Sequence, residues 1–129
     1  MFKMKNFYLK PLLLFFLFCI AISAKAYDCK VDGIYYDLSG DTATVTRGDN
    51  EYTDRITIPS SITYNSQTYR VTSIGGLAFN YCRYLTSVTL PKGVTSIGNK
   101  AFYECRGLTS VTIPEGVTSI GDYAFDGCI

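Results

Sequence analysis

The second half of the chain alternates short apolar and polar stretches. Residues 85–90 read LTSVTL, in which apolar positions are spaced L-x-x-L-x-L and the last four residues alternate polar and apolar. Side chains of a strand point to opposite faces in turn, so this pattern predicts a short strand with one buried face. Pro91 follows, and because proline cannot donate to a neighbouring strand, the strand is expected to end there.

Upstream of this strand, apolar residues recur at every fourth position, at Ile74, Ala78 and Cys82. Residues spaced by four lie on one face of an α-helix, so we predict a helix of about two turns here. The same spacing returns at Ile97, Ala101 and Cys105. Asn99 and Asp122 stand where a helix N-cap is expected.

These elements belong to a repeat with a period of 23 residues. Residues 71–93 and 94–116 are identical at 16 positions, and residues 117–129 begin a third, truncated copy. One copy cannot bury its own apolar face, whereas stacked copies bury a continuous core. The repeat therefore predicts an α/β solenoid, a leucine-rich-repeat coil of short strands and short helices.

Residues 27–70 are expected to form a β-rich cap on the first coil, because solenoids need a polar cover at the end of the core. Alternating runs flank a Ser-Gly-Asp turn within residues 34–46 and an Asn-Ser turn within residues 62–69, and both patterns are typical of β-hairpins. Residues 56–61 match the strand-and-proline part of the repeat and form a half copy.

The first 26 residues have the pattern of a signal peptide: a lysine-rich start, an apolar run at 12–22 and an Ala-Lys-Ala sequence at 24–26. The apolar run is shorter than the roughly 20 residues that cross a bilayer. We predict cleavage after Ala26 and no transmembrane span thereafter; an uncleaved anchor is the alternative. The protein is expected to be secreted or held at the cell surface. The periplasm and the outer membrane are alternative locations.

Charge and composition exclude whole classes of function. Four of the 12 basic residues lie in the leader, so residues 27–129 carry eight basic and eleven acidic residues, a net charge of −3. Nucleic-acid binding needs a basic stripe against the phosphates, so no nucleic-acid partner is expected. The chain has no histidine, which removes the usual nucleophile–histidine pairs and histidine metal sites. We therefore predict no enzyme, no cofactor and no metal site.

The cysteines leave two interpretations. Cys82, Cys105 and Cys128 recur at the repeat period and should stack in a column, with Cys29 apart in the cap. Neighbouring strands lie about 4.8 Å apart, which is within the range that a disulfide tolerates. We favour buried free thiols, since parallel stacked side chains rarely reach disulfide torsions, and leave disulfides as the alternative.

The repeat also resembles a known family. The spacing Ile-Gly-x-x-Ala-Phe-x-x-Cys-x-x-Leu-x-x-Val-x-Ile/Leu-Pro is present at 74–91 and 97–114, and begins again at 120–128. It is similar to the BspA-like, or Treponema-type, leucine-rich repeats. That resemblance implies a surface or secreted protein of adhesin type, and it transfers no site residues, because the shared motif is the packing motif.

Two sets of residues are candidates for ligand binding. The first is the exposed strand face, expected at Ser87, Thr89, Ser110 and Thr112. The second consists of tyrosines on the helical, convex side that could anchor a partner, namely Tyr81, Tyr84, Tyr103 and Tyr123. The alternative for the first set is that small polar and β-branched residues merely suit an exposed strand. The alternative for the second set is that these surface positions vary between copies without a function.

Together these features predict an exported, non-catalytic binding module with an unidentified protein or glycan ligand. The alternative is a truncated N-terminal fragment of a longer array with a structural role only. In either case an uncapped C-terminal edge is expected to favour self-association.

Overall fold

A computed structural model describes residues 26–129, so the predicted signal peptide lies outside the described residues except for its last position. Within that range the chain forms ten strands and no helix. The strands are β1 (Cys29–Val31), β2 (Ile34–Ser39), β3 (Thr42–Thr46), β4 (Asp54–Thr57), β5 (Ser61–Tyr64), β6 (Gln67–Ile74), β7 (Leu85–Thr89), β8 (Ser96–Ile97), β9 (Ser110–Thr112) and β10 (Ser119–Ile120).

A sheet of seven strands joins the N-terminal region to the coils. Its order is β1-β2-β3-β6-β8-β10, with β5 paired to β6. The hairpins expected within residues 34–46 and 62–69 are the antiparallel pairs β2–β3 and β5–β6. Asn65 and Ser66 have positive φ angles of 50° and 65°, which a two-residue hairpin turn of this kind requires. From β3 onward the pairing becomes parallel, because each following strand belongs to a new coil.

A second, smaller sheet consists of β4, β7 and β9, all parallel. Val88 pairs with Ile56 on one side and with Val111 on the other. The half copy at 56–61 therefore stands in register with the full copies. The two full copies thus cross the seven-stranded sheet, pass through a run of turns, and cross the three-stranded sheet, while residues 117–129 contribute β10 and the turns that follow it.

The run of turns replaces the helices predicted at Ile74–Cys82 and Ile97–Cys105, and that prediction is wrong. In the first copy every second N–H group bonds to the carbonyl three residues back, as Ala78 does to Gly75 at 3.2 Å. The N–H groups between them bond to the next coil, as Phe79 does to the carbonyl of Ala101 at 2.7 Å. An α-helix needs each of these groups for a bond four residues back within its own segment. The neighbouring coil competes successfully for half of them.

The predicted helix N-caps are wrong for the same reason. No helix begins at Asn99 or Asp122. The side-chain Oδ1 atom of Asn99 accepts a hydrogen bond of 2.8 Å from the backbone N–H of Asp122, one coil further on. This side chain satisfies a backbone group of the neighbouring coil, where a cap would satisfy a group of its own helix.

A column of aromatic rings runs through the core. Phe79 and Phe102 are stacked with ring centroids 4.8 Å apart, and Phe102 and Phe125 are stacked at 5.0 Å. Tyr52 extends the column toward the N terminus at 4.6 Å from Phe79, and Tyr35 follows at 5.9 Å from Tyr52. The hairpin region and the coils therefore share one continuous core.

The glycine after the isoleucine of each copy sets how closely the coils approach. A Cβ atom on Gly98 would lie 2.5 Å from the backbone nitrogen of Gly76, and one on Gly121 would lie 2.5 Å from that of Asn99. Contacts this short with backbone cannot be relieved by a side-chain movement. The Ile-Gly pair of the repeat is therefore a requirement of coil stacking.

Threonine hydroxyl groups add a second set of bonds between coils. The hydroxyl of Thr109 donates to the carbonyl of Thr86 at 3.1 Å, and that of Thr86 donates to the carbonyl of Asp54 at 3.0 Å. On the other sheet, Thr118 donates to Thr95 at 3.4 Å. These threonines belong to the stacking of the coils, which leaves other hydroxyl groups to face solvent.

Candidate functional site

The strand face predicted as a ligand surface lies on β7 and β9. Ser87 pairs with Ser110, and Thr89 pairs with Thr112, so the four side chains form two rows across the strands. Thr89, Ser110 and Thr112 are exposed, and Ser87 is half-buried. The valines between them point into the core. The structure therefore brings the four predicted residues together on one face.

Two further residues, not among those predicted from the sequence, extend this face. Arg55 pairs with Ser87 and Thr57 pairs with Thr89, so both rows continue onto β4, and both side chains are exposed. The alignment of the half copy already placed Thr57 opposite Thr89 and could have identified it. Arg55 precedes the aligned segment, and only the sheet register reveals it. We call these six residues the strand face: Arg55, Thr57, Ser87, Thr89, Ser110 and Thr112.

The strand face is chemically a set of hydroxyl groups with one cation at its β4 end. Hydroxyl groups can both donate and accept, so such a surface suits hydrogen bonding to amides or sugar hydroxyls. Of the ion pairs in the described residues, Arg70 with Asp41 and Arg106 with Glu104, neither includes Arg55. Arg55 is therefore available to an anionic group of a ligand.

An apolar cleft of about 270 Å³ lies beside the last strand of this sheet, lined by Val111, Ile113, Phe125 and Cys128 among others. The side chain of Ile113 is 41% exposed, whereas Leu90, its equivalent one copy earlier, is 6% exposed. The earlier copy is covered by the coil that follows it. The cleft thus has the chemistry of a coil-packing surface, and self-association through this edge stays a prediction.

The four tyrosines predicted as anchors lie on or beside the run of turns, and none is on a helix. Tyr81 and Tyr103 meet edge to face with centroids 5.8 Å apart. Tyr84 and Tyr123 are 73% and 64% exposed. The column of turns carries these rings outward because its inward positions are taken by alanine and phenylalanine.

Two cations lie over these rings. The guanidinium of Arg83 is 5.4 Å from the ring centre of Tyr81. The ammonium of Lys100 is 5.3 Å from the ring centre of Tyr103 and 5.9 Å from that of Tyr123. Distances within about 6 Å permit cation–π attraction. The sequence pattern did not reveal either cation: Arg83 over Tyr81 and Lys100 over Tyr103 are contacts within one copy that depend on the fold of the turns, and Lys100 over Tyr123 joins two copies.

The column of cysteines is part of the coil packing. The thiol of Cys105 donates to the carbonyl of Phe79 at 2.9 Å, and that of Cys128 donates to the carbonyl of Phe102 at 3.1 Å. Burial raises the pKa of Cys105 to about 12, and burial also raises the pKa of Cys82 and of Cys128. A thiol nucleophile must be a thiolate, so at neutral pH these groups are unreactive.

The described residues contain no group of three or more histidine, cysteine or acidic side chains that could hold a metal ion. Over residues 26–129, no helix is long and apolar enough to cross a membrane.

Parallel coils of one short repeat, stacked on a shared core, define a leucine-rich-repeat solenoid. Residues 50–129 match the family model described as "BspA type Leucine rich repeat region (6 copies)". The match covers more than half of the chain, so the protein belongs to the BspA-type leucine-rich-repeat family. The resemblance inferred from the repeat spacing is confirmed.

Several solved structures share this fold. A leucine rich cell surface protein from Faecalibacterium prausnitzii A2-165 is 38% identical with a TM-score of 0.65, and the match covers 75% of this chain and 27% of that one. A leucine-rich repeat protein from Bacteroides ovatus is 30% identical with a TM-score of 0.69, covering 79% and 33%. The leucine rich repeat protein of T. pallidum is 27% identical with a TM-score of 0.65, covering 77% and 46%.

The chain thus spans less than half the length of each of these three proteins. A search of curated proteins gives no match. The family match shows a leucine-rich-repeat fold for this chain, and the cell-surface description is that of the Faecalibacterium relative.

Proposed function

We propose that this protein is an exported, non-catalytic, adhesin-type module that binds a protein or glycan ligand through the strand face. Export rests on the signal-peptide pattern of residues 1–26 and on the cell-surface description of the Faecalibacterium relative. A further structure with the same fold is a pneumococcal vaccine antigen, 25% identical over 78% of this chain. Adhesion is the proposed use of such a surface position.

One observation carries the assignment to the strand face. The outward residues of β4, β7 and β9 form two unbroken rows in which every side chain except the half-buried Ser87 is exposed, and five of the six carry a hydroxyl group. The hydroxyl groups of Thr86 and Thr109, by contrast, are used in bonds between coils. Solenoids bind ligands on extended surfaces made by equivalent positions of successive repeats.

The strand face suits a ligand that is polar and of low charge density. Its hydroxyl groups offer directional bonds, and Arg55 offers one site for a carboxylate. Peptide backbones and sugar hydroxyls both meet this description. Polyanions such as nucleic acid do not, because the chain beyond the leader carries a net charge of −3.

The experiment that tests this proposal compares two double variants. Thr89→Lys with Thr112→Lys places two long cations at paired positions in the middle of the strand face. The matched control is Thr63→Lys with Thr68→Lys, which are also paired and exposed but lie on β5 and β6. Binding is measured against a panel of purified extracellular matrix proteins and a glycan array.

We expect at least one ligand to bind the unchanged protein and the control variant with similar affinity. The affinity of the strand-face variant for the same ligand should be lower by about tenfold or more. Absence of any binding across both panels would contradict the proposal. Unchanged binding by the strand-face variant would move the ligand site elsewhere. Circular dichroism spectra of both variants show whether the fold is retained.

Export has its own test. When the protein is produced with its natural N terminus in a Gram-negative bacterial host, we expect a product that begins at Tyr27 and lies outside the cytoplasm. N-terminal sequencing of fractionated cells measures this. A product that retains residues 1–26 and stays with the inner membrane would support the uncleaved anchor.

A second candidate is a purely structural segment of a longer array. It is favoured by one observation: Phe102, Gly98 and Thr109, which stand at positions that the two full copies share, pack one coil on the next. Retained binding of every ligand by the Thr89→Lys and Thr112→Lys variant, together with binding that requires repeats beyond residue 129, would favour this role.

A further inference from the structure

Several large side chains on the turn side stand at backbone positions that favour glycine. Leu77, Tyr81, Lys100 and Tyr123 have φ angles between 55° and 64°. The left-handed region is disfavoured for any residue with a Cβ atom and open to glycine. Gly127, which takes the place of Tyr81 in the third copy, has a φ of 81°. Glycine therefore fits the position of Tyr81, and Leu77, Lys100 and Tyr123, which are equivalent to one another, carry large side chains in the same backbone region.

These side chains are presented to solvent as one group. Leu77 is 44% exposed, Tyr81 40% and Tyr123 64%. Tyr103 connects them, because its ring touches that of Tyr81 and lies under the ammonium of Lys100, which also lies over Tyr123. We call these residues, with Arg83 over Tyr81, the turn face: Leu77, Tyr81, Arg83, Lys100, Tyr103 and Tyr123.

The turn face has a cationic part within a chain of net negative charge. Neither Arg83 nor Lys100 forms an ion pair within residues 26–129. Arg106, close by, is paired with Glu104. Asp122 and Asp126 stand near Tyr123 at the third-copy end of the face, so its positive part consists of Arg83 of the first copy and Lys100 of the second.

We propose that the turn face is a second interaction surface, which binds an acidic segment of a partner protein. The tyrosines and Arg83 are of the types that dominate protein interfaces, and backbone strain of this kind persists where a side chain serves a function. Arg83 and Lys100 form no ion pair within the described residues, so carboxylates of a partner would bind to them favourably. The exposed Leu77 calls for an apolar side chain beside them, which favours a protein partner over a glycan.

This surface is separate from the strand face. The strand face lies on β4, β7 and β9, whereas the turn face lies on the segments that follow β6, β8 and β10. Failure of one proposal therefore leaves the other standing. Variants of each face serve as controls for the other.

The test uses a displayed library of random 12-residue peptides, selected on the immobilised protein. We expect enrichment of peptides that combine Asp or Glu with an aromatic or aliphatic residue. The same library is selected on the variant Arg83→Glu with Lys100→Glu, which should enrich basic peptides. A reversal of peptide charge between the two selections is the result expected of the turn face. Selections that are empty, or whose charge does not change, would overturn the proposal.

Two further variants separate a binding role from a structural one. Tyr81→Gly and Tyr123→Gly remove the rings at positions where glycine relieves strain. We expect both to melt at or above the temperature of the unchanged protein and to bind a selected acidic peptide about tenfold more weakly. Thr63→Lys, on β5 and outside both faces, should leave peptide binding unchanged. A loss of stability in both glycine variants with unchanged peptide binding would show that the rings serve only the fold.

A glycan partner is tested in parallel with a heparin column at physiological salt. Under the proposal the protein is not retained by heparin. Retention that Lys100→Glu abolishes, without selection of acidic peptides, would overturn the protein partner in favour of an anionic glycan.

Discussion

The hairpin region and the coils differ in the length of their strands and in how those strands pair. Strands β2 and β6 have six and eight residues and lie in antiparallel hairpins, whereas β8 and β10 have two residues each and pair only in parallel with other coils. In the hairpin region the side chain of Tyr52 connects to both strands of the β2–β3 hairpin. Its hydroxyl donates to the carbonyl of Thr46 and accepts from the N–H of Tyr35. In the coils, repeated positions bond to their own equivalents.

The difference shows where the stability of each region originates. A hairpin closes its hydrogen bonds between neighbours in sequence and needs little else to define its register. A coil has few internal bonds, so its free energy of folding comes mainly from the interface with the next coil. The contact between Tyr52 and Phe79 in the aromatic column connects the hairpin region to the coils.

The largest effect is expected from Phe102→Ala. This ring is fully buried and stacked on both sides, so its removal leaves a cavity between coils and should cost about 3–5 kcal/mol of unfolding free energy. Urea denaturation measures the loss. Native-state hydrogen exchange should show the amides of residues 94–129 losing protection before those of β2 and β3. Simultaneous loss in both regions would remove the distinction between them.

Gly98→Ala should come next. The added methyl group would meet the backbone of Gly76 at 2.5 Å, so the coils must separate, at a cost of about 1–3 kcal/mol. Gly116→Ala is the matched control, because its nearest contact is the carbonyl oxygen of Lys92 at 3.3 Å. Thermal melts of both variants check this. Equal losses would mean that coil separation is not the cause.

Tyr52→Phe tests the hairpin side of the comparison. The ring stays in the aromatic column, but the carbonyl of Thr46 and the N–H of Tyr35 lose their partner, and we expect a loss of about 1–2 kcal/mol. The measurement is again urea denaturation. Here hydrogen exchange should speed up first in β2 and β3. Faster exchange in the coils instead would contradict the separation of the two regions.

The smallest effect is expected from Thr109→Val. The change removes one hydroxyl bond between coils, to the carbonyl of Thr86, and should cost about 1 kcal/mol. Thr112→Val provides the control, since among the described residues its hydroxyl forms no hydrogen bond. Melting temperatures that fall equally in both variants would show that the threonine column contributes nothing beyond strand preference.

Much of the architecture was predictable from the sequence. Alternation within LTSVTL predicted β7 and its buried face, and the turn residues of 34–46 and 62–69 predicted two hairpins, because these signals act within a few residues. The run of turns that stands in place of the predicted helices was not predictable. The four-residue spacing of Ile74, Ala78 and Cys82 is met equally by a helix and by turns that return the chain to one face.

The candidate surfaces likewise contain some residues that the sequence predicted and others that only the structure revealed. The rows of Ser87 and Thr89 followed from the repeat period, but Arg55 joined them only through the pairing of β4 with β7. The tyrosines were recognised as exposed, but the position of Lys100 over the ring of Tyr123, one copy further on, was not. Contacts between different copies depend on the height and rotation of each coil, which no single copy contains.

The sequence by itself determined that equivalent residues would meet. A period of 23 residues with conserved glycine and phenylalanine positions between its copies allows one stacking register, in which Val88 pairs with Val111. Only the tertiary structure decided the backbone between the strands. The N–H groups of residues such as Phe79 could bond within a helix or to the next coil, and the neighbouring coil offered carbonyl groups at the right spacing. A local pattern cannot contain that choice, because half of the hydrogen-bond partners lie in another copy.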